Sequence, residues 1–165
     1  MGSVAYEAPD AFVFVDPILP DELWEPLDER VRRHGKPVVV LTTVKWHRRS
    51  RDRVVARYGA STSRARSALP TGVETVPLRG AGETLVWLPG PRALVAGDRI
   101  LGASAGALRL CPVSWLRYLG GYGLDDLREA LRPLLELPIE LVLVSHGEPV
   151  LAGGREALER ALKPA

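Results

Sequence analysis

A layered α/β or α+β domain spanning residues 1–165 is the fold class that the sequence predicts, and three features predict it. Short apolar runs of strand length alternate with stretches of helical spacing, and neither an internal repeat nor a linker divides them. Two of the runs, residues 37–42 (PVVVLT) and 139–144 (IELVLV), read as strands covered on both faces. The 165 residues are 46% hydrophobic, which is enough for a real core.

Taken in order, AFVFV at residues 11–15 is β-branched and aromatic and ends at Asp16-Pro17, so it reads as a strand. Pro26 fits a first helical position, which predicts a helix to about His34 with Gly35 behind it. After the run at 37–42, Ser50 is placed to cap a short helix, RDRVVARY, that Gly59 ends. A weaker strand follows over residues 73–78. The runs at 83–88 and 92–96, joined by Pro89-Gly90-Pro91, predict a hairpin. Helical spacing recurs over 115–119 and 124–135, with Leu137-Pro138 as the stop. The strand at 139–144 then runs into Ser145-His146-Gly147, and residues 155–162 form an amphipathic helix.

Net charge is only +2, yet Lys45 to Arg66 hold eight Lys or Arg against one acid, Asp52. A local basic face of this kind attracts anions. It lacks clustered aromatics, so nucleic acid is the minority reading. Cys111 is the one cysteine, which excludes an intrachain disulfide and suits a reducing compartment. No apolar run approaches a membrane span, and the first residues lack the order of a targeting segment. A soluble, cytoplasmic protein is expected.

Polar residues that follow apolar runs are the candidates for chemistry, because loops at one sheet edge collect sites. They are Asp16, the loop from Thr43 to Arg49, Asp98 and His146. Singly, each has an ordinary explanation: Asp16 as a turn former before proline, Asp98 as a cap, His146 as a hydrogen-bonded structural histidine.

In sequence, FVFVDP, TTVKWHR, GETLVWLPGPRALVAGD and LVLVSHGEPVLAGGREAL resemble the metallo-β-lactamase fold superfamily over nearly the whole chain. The resemblance implies an αββα four-layer sandwich, in a short version with mixed sheets and a site along one edge of the two sheets. It also implies metal chemistry, and there the chain departs from the family pattern. Set against T-H-x-H-x-D-H, the segment places Thr43, Lys45, His47 and Arg48 at the ligand positions, so none of the four ligand types is kept. Glu83 falls where the histidine of G-H-T would stand, while Asp98 and His146 match the bridging aspartate and the last histidine. With three histidines in the chain, a dinuclear site of the family's kind is not expected.

Two readings of this set follow. In the first, Lys45 or Arg48 supplies in covalent form the positive charge that metals supply in relatives, with Asp98 and Glu83 as its partners. A catalytically silent protein is then expected, without a metal cofactor, binding an anionic small molecule or a protein partner through Thr43, Lys45, His47, Arg48, Glu83, Asp98 and His146, with Asp16 as nearby support. In the second, one zinc, iron or manganese ion is retained by His47, Asp98 and His146, and the protein is a divergent hydrolase. A purely structural subunit is a third expectation. Trp46, inside the site loop, is the tryptophan placed to take part.

Overall fold

The computed structural model describes residues 1–62 and 69–164. Strands Val4–Glu7 (β1), Phe12–Val15 (β2), Val38–Leu41 (β3) and Ser61–Thr62 (β4) form one sheet in that order, with β1 antiparallel to β2 and the rest parallel. Strands Glu74–Leu78 (β5), Glu83–Leu88 (β6) and Ala93–Ala96 (β7) form an antiparallel meander. Leu141–Val144 (β10) adds to β7 in parallel and completes the second sheet. Between β7 and β10 in the chain, Ile100–Gly102 (β8) and Leu108–Leu110 (β9) make a small antiparallel ribbon.

Strand alternation puts successive side chains on opposite faces, and here both faces are covered. Phe12, Phe14, Val38 and Val40 pack on one side with Trp24 and Leu27 of helix α1 (Trp24–His34) and Val54 of α2 (Arg51–Tyr58). Their neighbours Val13, Val15 and Leu41 turn the other way, onto Val86, Leu88, Ala93 and Val95 of the second sheet. The far face of that sheet presents Leu85, Trp87, Leu94, Ala96 and Val142 to Leu127 and Leu131 of α3 (Leu124–Leu131) and Ala157 and Leu158 of α4 (Gly154–Leu162). Three apolar layers therefore separate four structural ones, helix–sheet–sheet–helix. Each large apolar side chain enclosed in them contributes about 1.5–3 kcal/mol.

Several elements differ from their sequence reading for local reasons. The helix expected over 124–135 ends at Leu131 and continues as a tighter 3-10 turn, Arg132–Glu136, because Pro133 has no N–H for the α-helical ladder. Residues 115–119 are not an α-helix; a 3-10 turn, Val113–Trp115, stands there instead. Ser50 does not cap α2: its hydroxyl accepts the Leu19 N–H at 3.0 Å. Arg64 and Arg66 of the basic run lie outside the described residues.

Candidate functional site

Four strands deliver the site. β2 and β3 run parallel, as do β7 and β10, and their carboxyl ends carry Asp16, the loop from Thr43, Asp98 and His146. Loop ends at one edge of a sheet are where polar groups can converge without breaking a core.

Asp16 is buried and left-handed (φ 47°), a conformation that aspartate tolerates better than most residues. It anchors the loop after β3. One carboxylate oxygen accepts the Thr43 N–H at 2.9 Å; the other accepts the Thr43 hydroxyl and lies 2.9 Å from His47 Nδ1. A carboxylate against Nδ1 fixes a histidine's orientation and turns Nε2 toward whatever lies beyond.

Beyond it lies Asp98. His47 Nε2 is 3.0 Å from Asp98 Oδ1, and His146 Nε2 is 3.2 Å from the same oxygen. The other oxygen, Oδ2, accepts the indole N–H of Trp46 at 2.7 Å. Burial opposes charge on both members of the His47–Asp98 pair, but their mutual bonding outweighs it. The His47 imidazole rises to about 9, helped by Asp16, and the Asp98 carboxyl falls to about 2, helped by Trp46.

Asp98 is held up by a turn with its own carboxylate underneath. Glu83, at the start of β6, accepts the backbone N–H groups of Gly97, Asp98 and Arg99 at 2.8–2.9 Å. Burial pushes the Glu83 carboxyl up to about 7 against the pull of those three donors. Gly97 is required by space, since a Cβ there would meet the Thr43 hydroxyl oxygen at 2.3 Å. His146 is set by a comparable close approach. Its carbonyl accepts the Gly102 N–H at 2.9 Å, and Gly147, at φ 86°, lies so near Gly102 that a Cβ would meet its carbonyl oxygen at 2.1 Å.

The donor set fits a divalent cation. His47, Asp98 and His146 each offer one ligand atom, all within 4.8 Å of one another. The 3.0 and 3.2 Å spacings are close to the roughly 3.3 Å between neighbouring ligands of a tetrahedral ion bound at about 2 Å. Asp98 Oδ1 is buried, makes no hydrogen bond of acceptable geometry and is met only by the two histidine nitrogens, an environment that suits a ligand oxygen. Asp16 behind His47 and Trp46 behind Asp98 supply the outer support that metal ligands generally have. A competitor for the space is present as well. Arg49, itself left-handed (φ 42°), places a guanidinium nitrogen 3.0 Å from His47 Nε2. Burial holds its pKa below the ordinary value.

The expected partnership of Lys45 or Arg48 with Asp98 is corrected by this geometry. Residues 44–51 coil in tight turns, with the His47 N–H donating to Val44 O at 3.0 Å and the Arg51 N–H to Arg48 O at 2.6 Å. That coil turns Thr43, His47 and Arg49 inward and Lys45 and Arg48 outward. Lys45 is exposed, lies 5.6 Å above the Trp46 ring, and lines with Arg48 and Arg51 a separate cleft beside Thr42 and Thr84. Among the described residues neither Lys45 nor Arg48 forms an ion pair. Glu83 is not brought to the cluster either, because both of its oxygens are taken by the turn. Thr43 serves the scaffold through Asp16. Sequence reasoning missed Arg49 as the inward cation and the buried Arg99, whose Nε donates to Ala81 O at 2.8 Å. Within a run of arginines only the turn geometry separates them.

Comparison with family models and with curated protein sequences gives no match. Solved structures do match. TTHA1623 in a di-iron-bound form superposes with a TM-score of 0.63 at 17% identity, covering 98% of this chain and 93% of that one. The B3 metallo-β-lactamase BLEG-1 gives 0.59 at 16% identity over 92% and 89% of the two chains. VMB-1 gives 0.56 at 14% identity, over 92% of this chain and 78% of its own. The chain has the metallo-β-lactamase fold, as its ordered motifs led one to expect. Among the described residues no helix is long and apolar enough to cross a membrane.

Proposed function

We propose that the protein is a mononuclear metal-dependent hydrolase in which His47, Asp98 and His146 hold one zinc, iron or manganese ion. The buried Oδ1 of Asp98, met only by two histidine Nε2 atoms at 3.0 and 3.2 Å, carries this reading. An ion held there supplies Lewis acidity toward a carbonyl or phosphoryl group and toward water. The chain's own residues do the rest. Asp16 keeps Nδ1 of His47 engaged so that Nε2 faces the centre, and Trp46 fixes Asp98 through its second oxygen. Arg49, on the rim of the cluster, is the group available to receive an anionic part of a substrate once it leaves His47.

A second reading rests on Arg49 as it stands. Its guanidinium lies 3.0 Å from His47 Nε2, so it occupies the cluster as a covalent cation, and the protein binds an anion or a partner without catalysis. Elemental analysis of protein purified without chelators separates the two. Stoichiometric zinc, iron or manganese, lost in Asp98→Asn and His146→Ala, is expected. Protein that carries no such metal and takes up none on titration supports the second reading and ends the first.

A further inference from the structure

Above the cluster opens a cavity of about 640 Å³ lined by Trp46, Arg49, Trp115, Arg117, Tyr118 and Leu119, among others, with His47, Asp98 and His146 at its polar end. That volume is in the range of small-molecule sites. Its walls are aromatic where solvent-facing surface ordinarily is not. Of the seven large apolar side chains exposed among the described residues, four (Met1, Trp46, Trp115 and Tyr118) line this one cavity. Single exposed apolar residues need no explanation, but a cluster around a polar floor does.

Two of the rings are tied to the cluster itself. Trp46 is fixed by its bond to Asp98, and the residue is 52% exposed. Trp115 meets His146 edge to face, with centroids 5.6 Å apart. Each flat surface is therefore held at a set position relative to the would-be reacting centre, at little ordering cost when a ligand arrives. The charge at the rim is positive. Arg49 and Arg117 line the cavity. Arg49 Nη1 donates to the carbonyl oxygens of Gly2 and Asp16 at 3.3 and 3.4 Å. Its Nη2 lies 3.0 Å from His47 Nε2, a contact that a ligand anion would displace. Arg99 is 1% exposed with its Nε bonded to Ala81 O. Arg49 also holds a left-handed backbone (φ 42°), strain of the kind retained where a side chain must be aimed.

We infer that this cavity takes an aromatic anion, a flat ring system packed on Trp46, Trp115 and Tyr118 with its carboxylate or similar group on Arg49. The inference rests on the cluster being the reacting centre and names the class of substrate that centre serves. A ring stacks on indole faces that water solvates poorly, and guanidinium holds a carboxylate in bidentate fashion. Both demands are met by one small molecule of this class, and a neutral aromatic or an aliphatic acid meets only one.

The test is calorimetric titration of chelator-treated protein with 2-naphthoate, 2-naphthalenemethanol and cyclohexanecarboxylate. Removing metal first separates this result from the metal reading, which elemental analysis decides alone. The expected result is one naphthoate per chain, with the other two probes weaker by about tenfold or more. Trp115→Ala and Arg49→Lys each weaken naphthoate by about tenfold, while Arg51→Ala, in the other cleft, does not. Equal binding of naphthoate and cyclohexanecarboxylate would overturn the inference. So would naphthoate binding unchanged by both Trp115→Ala and Arg49→Lys, or no naphthoate binding at millimolar concentration.

Discussion

The Gly97–Asp98–Arg99 turn has a carboxylate on either side, and the two are used differently. Glu83 lies beneath it at 4% exposure with both oxygens engaged by backbone N–H groups; Asp98 lies on top at 6% exposure with one oxygen unpartnered. Burial is the same, so burial does not distinguish scaffold from site. What distinguishes them is whether the chain has already supplied every partner. A carboxylate satisfied by backbone is part of the fold, and one left open at a meeting of histidines is a candidate ligand.

That contrast can be broken by substitution. The largest effect is expected at Glu83→Ala, which strands three buried backbone donors. A loss of about 3–5 kcal/mol in chemical denaturation is expected. Asp98→Asn keeps an acceptor for Trp46 but removes the charge that faces His47 and His146. The metal-free protein should then lose about 2 kcal/mol, less than Glu83→Ala does, while zinc retention in a chelator competition falls by about 100-fold or more. If the two variants are equally destabilised, the division of labour is wrong. Asp16→Asn sharpens the comparison, since it removes no candidate ligand and acts through the orientation of His47 and the Thr43 loop. Metal affinity down by about 10–100-fold with the ligands intact is expected from the same competition.

The smallest effect comes from a pair outside the contrast. Arg57 and Tyr58 bond the Asp28 carboxylate and hold it at about 2, below its ordinary 3.8. The folded value is the lower one, so the pair's contribution is complete above pH 3.8 and disappears as pH falls through 2. A slightly steeper acid melt in the parent than in Asp28→Asn, with no difference at neutral pH in metal content, checks it.

The sequence carried the strands and the residues at their ends because both obey local rules. An apolar run of strand length followed by Asp-Pro, Gly-Asp or His-Gly is visible without tertiary information; Asp98 and His146 touch, and Asp16 is linked to Asp98 through His47. The pieces β4, β8 and β9 were not visible, since two or three residues hold too little periodicity, and β1 (VAYE) is not a continuous apolar run. The loop after β3 failed for a different reason. Lys45, Arg48 and Arg49 are chemically alike in a string, and the coil that sends one inward and two outward is decided by the bonds from Asp16 to Thr43 and His47. Glu83 was placed correctly in the chain and misjudged in role, because three backbone donors leave no trace in sequence.

His47 rides on the first sheet, whereas Asp98 and His146 are carried by the second, locked together through Gly102 and the β8–β9 ribbon. Whatever is gripped by all three acts as a rivet across the seam of the sandwich. Loosening the apolar layer between the sheets, at Val86 or Val13 far from any polar atom, therefore pulls one jaw of the grip away from the other two.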